Sequence, residues 1–168
     1  MANTVHGRTA WMRAFIFLIA WLTVAGWGLS WLHKLEWQEW TGLAGVLAAV
    51  VVARQEAGSW NNLLASVGEP LAFGPFILVA SLVLVAAVAY PPTMLDTLTY
   101  RLPRMLLWWQ DNQVHHFQTA DPRLNYMPQA WGLVTLPLVQ LAGDRMASFW
   151  NYASWVMFYF ITFDWALE

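Results

Sequence analysis

An all-α fold, built as a bundle of about four membrane-spanning helices, is what three features of the sequence predict. Hydrophobic residues fill 59% of the 168 positions and charged residues 11%, where an ordinary soluble domain carries about 25% charged residues. A run of roughly twenty residues ending at Tyr90 holds no charge at all, which is the length a bilayer core demands. Thirteen tryptophans and five tyrosines are present, and such amphipathic rings favour the membrane–water boundary. The formal net charge of -2 excludes the basic footprint of a nucleic-acid-binding protein. The lack of cysteine excludes a disulfide framework and a thiolate metal site.

The first predicted span covers 11–32, with Arg13 near its start and Trp31 near its end. Its apolar part, Ala14 to Leu32, exceeds the roughly 7–15 residues of a signal-peptide core. No small-residue cleavage site with a polar exit follows, so the span is expected to stay uncleaved. The second span covers 37–53. Its core "WTGLAGVLAAVVVA" is short and reaches back through Trp37, and Gly42 and Gly45 suit close helix contact. "RQEAGSWNNLLASVGEP" reads as a polar connector. The third span, 71–90, is the clearest.

A long segment, 91–145, follows as an outer loop, polar from Pro91 to Met127. Proline is tolerated in the first turn of a helix, so Pro103 and "PRMLLWWQ" predict a short helix. Leu102, Leu106 and Trp109 would share one side of it, and Arg101, Arg104, Trp108 and Asp111 another. That pattern fits a helix lying in the membrane interface. "QTADPRLNYMP" is irregular by its Asp-Pro and Pro punctuation. Pro128 to Leu141 is apolar but carries Pro137 and two glutamines; it either dips into the membrane or lies on it. The fourth span covers 146–167. The chain reads as one membrane domain, 1–168, without internal repeats.

Basic residues orient such a bundle. Arg8 and Arg13 before the first span, against Lys34 after it, predict a cytoplasmic N-terminus in the inner membrane. Three crossings then place the Pro91–Met127 loop outside. Arg101, Arg104 and Arg123 in that loop run against the rule, unless their partner is an anionic ligand.

The loop gathers Asp96, Tyr100, Arg101, Arg104, Asp111, His115, His116, Asp121 and Arg123. Charges at a membrane face are costly unless solvated or paired. One explanation is a solvated loop whose arginines reach to headgroups, with Asp96 capping the helix that follows, a frequent role of Asp. His115 and His116 are adjacent, so their side chains diverge and read as interfacial polar residues, not as a joint metal site. Trp108 and Trp109 either anchor the loop at the interface or stack on a sugar ring, and the same alternatives hold for Tyr126 and Trp131. No spaced His/Asp cluster indicates a metal, and the cofactor is open.

The run "YPPTMLDTLTYRLPRMLLWWQDNQVHHFQTADPRLNYMPQAWGLVTLPLVQLAGDR" carries a D-x-x-T-Y-x-x-P-R core, then N-Y-M-P and G-D-R, in order. It resembles the first large outer loop of bacterial GT-C type membrane glycosyltransferases, the multi-span enzymes related to aminoarabinose transferases and protein O-mannosyltransferases. The resemblance covers roughly Tyr90 to Trp150. It implies a transferase of the cell envelope that moves a sugar from a polyprenyl-phosphate donor to an acceptor on the outer side of the membrane. Asp96 matches the catalytic aspartate, a general base for the acceptor hydroxyl. Arg101 and Arg104 would bind the lipid phosphate by bidentate hydrogen bonds, and Tyr100, His115, His116 and Tyr126 complete the expected substrate-binding set. Some relatives use a divalent metal and others do not.

The chain departs from that pattern in two places. Tyr100-Arg101 stands where many relatives have Tyr-His, and Pro128-Gln129 where many have Pro-Pro. The family's enzymes also have many more spans, so the resemblance implies the N-terminal part of a longer enzyme, inactive alone. The competing expectation is a non-catalytic multi-span scaffold or transporter subunit. Lipid bilayer is a partner under either.

Overall fold

The computed structural model describes residues 2–62, 64–65, 74–89, 97–120, 122–126 and 128–167, and the regular elements among them are all helical. The all-α class is therefore as predicted. Helix α1 spans Ala2–Trp31. Its stretch Thr9–Trp31, 23 residues, is long and apolar enough to cross a membrane: at 1.5 Å per residue it measures about 34 Å, against a hydrocarbon core of about 30 Å. A 3-10 turn, Leu35–Trp37, leads into α2, Gln38–Ala57. That helix begins where the second span was expected and runs on past 53 through Arg54 and Glu56, until Gly58 closes it at φ 74, a left-handed backbone that costs glycine nothing.

The two helices form an antiparallel hairpin because their facing residues are small. Ala10 and Ala14 pack on Ala49, Ala53 and Ala57. At Gly45 a Cβ would sit 2.5 Å from Trp21 Cδ1, so the glycine is what lets the Trp21 indole lie flat enough to donate to the Thr41 carbonyl at 2.9 Å. At the far end Arg13 pairs with Glu56.

Helix α3, Gly74–Ala89, covers the described part of the third span. It docks through Phe76, whose ring stacks on Tyr159 at 3.6 Å, and through Ala80 against Phe160. Ile77, Leu78, Val79, Leu82, Val83, Leu84 and Val85 are left exposed. A π-turn, Thr97–Arg101, runs into α4, Leu102–Asp111. Next come α5, Arg123–Tyr126, and α6, Ala130–Ala142. A 3-10 turn, Asp144–Ser148, precedes α7, Phe149–Leu167. Phe76–Ala86 and Ala130–Ala142 are apolar but shorter than a membrane-crossing helix, so Thr9–Trp31 alone meets that criterion among the described residues.

Segment 91–145, expected as an outer loop with a short helix, contributes to the core: Leu102, Met105, Trp108, Leu133, Leu136 and Val139 form one cluster with Leu35 and Val114, while His116, Gln118 to Ala120 and Arg123 are exposed. Both helices repeat their core residues at three-residue steps, which stack on one helical face. The buried face of α4 is therefore rotated from the expected one. Leu106 and Trp109 are exposed, while Arg104 and Trp108 are buried. Gly132 makes room for that rotation, since a Cβ there would lie 2.8 Å from Trp108 Cζ3.

Helix α6 packs inside the bundle, against α1 and α2. Its 13 residues make about 20 Å, and Gly132 through Pro137 are buried against the other helices. Pro137 inside it packs against Gly42. Proline has no N–H to give to the carbonyl four residues back, here that of Leu133. The wholly buried Gln38 side chain supplies the donor, reaching Leu133 O at 3.3 Å and Leu22 O at 2.9 Å. The next carbonyl, of Val134, accepts from the Trp150 indole at 2.9 Å.

Candidate functional site

The π-turn and the first turn of α4 place Tyr100, Arg101 and Arg104 together. Pro103 sits at the start of α4, where a missing N–H costs nothing. The core residues Leu102 and Met105 then pin the helix, and Arg104 is carried inward between them. Tyr100 and Arg104 are 2% and 1% exposed, so neither is a solvated loop side chain. The Arg104 guanidinium lies 4.9 Å from the centre of the Trp108 ring and donates from Nη2 to the Pro128 carbonyl at 3.0 Å. The Tyr100 ring has the Arg123 guanidinium 5.3 Å from its centre and that of Arg101 at 6.0 Å. These distances are within the range of cation–π attraction.

Arg101, Arg104, Pro128, Trp131 and Asn151 line a cavity of about 270 Å³. Burial first, and the positive charge of Arg101 second, push the Arg104 guanidinium down from its ordinary value, while Tyr100 pulls the other way. An arginine still stays charged at neutral pH, so two cations share one wall. Among the described residues no carboxylate pairs with Arg101. An anion with several acceptor oxygens, such as a phosphate, is the chemical complement of such a wall.

Of the other expected site residues, His115 is half-buried near the end of α4. Its Nε2 is 3.3 Å from Asp111 Oδ2, and its ring meets Phe117 edge-on at 4.5 Å. Its carbonyl accepts from the Trp108 indole at 3.1 Å. His115 therefore supports the buried face of α4 and does not line the cavity. His116 is exposed. Trp108 is 0% exposed, which rules out stacking on a sugar; it is the platform under Arg104. Trp131 does line the cavity. Tyr126 ends α5, and its side chain is outside what the structure describes. Asp96, the expected catalytic base, and Asp121 also lie outside the described residues. No group of three His, Asp or Glu able to hold a metal occurs among the described residues.

Two contributors were not foreseen. Asn151, at the start of α7, lines the cavity. Asn125 holds the backbone of Phe117 at both ends: its Oδ1 accepts from Phe117 N and its Nδ2 donates to Phe117 O, each at 2.8 Å. It is the first letter of N-Y-M-P, so the motif itself was the available signal. Set beside family models, curated proteins and solved structures, the chain matches none of them.

Proposed function

We propose that this chain is a membrane glycosyltransferase of GT-C type, or the N-terminal part of one. It binds a polyprenyl-phosphate sugar through the Arg101–Arg104 cavity and transfers the sugar to an acceptor outside the inner membrane. The observation that carries this reading is the pair of arginines on one cavity wall, one of them fixed by Trp108 and the Pro128 carbonyl. The D-x-x-T-Y-x-x-P-R run lends the chemistry: Asp96 takes the acceptor proton as the hydroxyl attacks the anomeric carbon, and the lipid phosphate leaves against the arginines. Trp131 offers the sugar an apolar face beside the phosphate.

Residence in the membrane is part of the proposal, with about four spans. Thr9–Trp31 supplies its best support, and the apolar side chains around α3 form the kind of surface that soluble proteins seldom expose. The hairpin also brings Arg54 to the same end as Arg13, opposite the tip at Leu35–Trp37. Three basic residues, Arg8, Arg13 and Arg54, thus mark one end, which favours a cytoplasmic N-terminus. The α4 C-terminus lies at the tip, where Asn112 Oδ1 accepts from Glu36 N at 2.8 Å.

Binding of a labelled polyprenyl phosphate to membranes carrying the chain tests the phosphate site. Replacing Arg101 by Gln removes one ionic donor, and hydrogen bonds to charged groups contribute about 1.5–3 kcal/mol. The affinity is expected to fall roughly 10–150-fold. Unchanged binding by Arg101→Gln contradicts the proposed site.

A further inference from the structure

A second cavity, of about 170 Å³, lies between α1, α2 and α7 and shares no lining residue with the first. Trp11, Phe15, Leu18, Val46, Val50 and Met157 provide most of its wall. Its wall is apolar and it opens to the outside, so it suits a hydrocarbon chain. Counting about 100° per residue from the seam residue Ala14, Trp11, Phe15 and Leu18 fall on one flank and Arg13 on the other. The Arg13–Glu56 bridge is therefore on the far side of the seam, and Glu56 is committed there.

On the cavity side, Val46, Val50 and Arg54 follow at four-residue steps, the spacing of one helical stripe. Arg54 is exposed and pairs with no carboxylate among the described residues. It stands about 6 Å beyond Val50 along the axis, so among the described residues of that flank the hydrocarbon groove leads toward the cation of Arg54. We propose that this groove holds one acyl chain of an anionic phospholipid, with the lipid phosphate at Arg54. The proposal rests on the membrane residence argued above and not on glycosyl transfer.

The complementarity is that of an amphiphile: an apolar, open slot for the chain, and a positive side chain one turn past its end for the head. A helix from a second copy would fill the slot but leave Arg54 without a counter-charge. Retention of lipid by the full chain, released from nanodiscs of phosphatidylglycerol and phosphatidylcholine with identical acyl chains and weighed by native mass spectrometry, decides between them.

One phosphatidylglycerol is expected to stay bound, in preference to phosphatidylcholine by about fivefold, the effect of one basic side chain at an anionic lipid surface. Arg54→Gln should abolish the preference while leaving a lipid bound. Val50→Trp should cut retention of both lipids at least tenfold, and Val46→Phe provides a second filling variant if that one misfolds. The loss caused by Arg54→Gln should be the same in an Arg101→Gln background, which separates this site from the donor site. Equal retention of the two lipids by the unaltered chain, retention that the filling variants leave intact, or a dimer in place of a bound lipid would each overturn the proposal. A chain found in the soluble fraction would instead overturn the membrane residence beneath it.

Discussion

Single residues carry the account at two buried polar side chains. Arg104 is nearly inaccessible, yet its guanidinium is matched by the Trp108 face and the Pro128 carbonyl. Lysine keeps the charge but loses the planar stack and the fork. Arg104→Lys is therefore expected to weaken binding of a polyprenyl phosphate by roughly tenfold or more, and a titration of labelled lipid into membranes checks it; equal affinities would show that the fork is not used. Gln38 matters for a different reason. Its amide satisfies the Leu133 carbonyl that Pro137 leaves without an N–H. Leucine at 38 fills similar space and abandons that carbonyl, so Gln38→Leu should cost about 1–3 kcal/mol, measured by denaturant unfolding in detergent. Neither role was legible in the residue alone. A glutamine beside a tryptophan-rich turn looks like surface, and an arginine in a polar segment looks solvated, until the partner across the bundle is known.

Helices and turns show which sequence signals survive folding. The α1–α2 hairpin was readable because apolar length and small residues act locally. The start of α4 was readable too, because Pro103 restricts its own turn. The buried face of α4 was not, since the choice between Leu106/Trp109 and Met105/Trp108 is made by α6, which offers Gly132 as a slot for the indole. A methyl group there has to displace Trp108. Gly132→Ala should destabilise the fold by about 1–3 kcal/mol, the usual cost of overpacking, and the loss should appear in the same unfolding measurement. Pro137 in the apolar run of α6 reads as an interruption in the sequence, whereas Gln38 repairs the gap from another helix. That repair has its own test. Pro137→Ala restores the N–H for Leu133, so in combination with Gln38→Leu it should recover part of the lost stability. Strict additivity of the two changes would contradict the coupling.

At the scale of the whole molecule, the helical class followed from composition alone, while the number of membrane crossings did not. Thr9–Trp31 is long and apolar enough to cross. The 20-residue α2 carries Glu39, Arg54 and Glu56 within its bounds, and the apolar part of α3 is short. The segment read as an outer loop provides much of the core, because its apolar residues are spaced for packing on other helices and a linear scan sees only their average. The proposed orientation puts the tip of the α1–α2 hairpin and the α4 C-terminus outside, so a reporter fused at Asn112 should be active only when it needs an extracytoplasmic setting; activity confined to the cytoplasmic reporter contradicts the orientation. The candidate site was half legible. Arg101 and Arg104 share a cavity wall, Tyr100 is buried beside them without lining it, His115 and Trp108 serve as supports, and Asp96 is outside the described residues. Asp96 is also where the central claim is most exposed. The deciding measurement is transfer of labelled sugar from a polyprenyl-phosphate donor in membranes, comparing the protein with its Asp96→Asn variant. Loss of the general base predicts a fall of roughly 10²–10⁴-fold with donor binding retained by the arginines. Equal transfer by the two proteins, or none by either while the donor stays bound, contradicts the account.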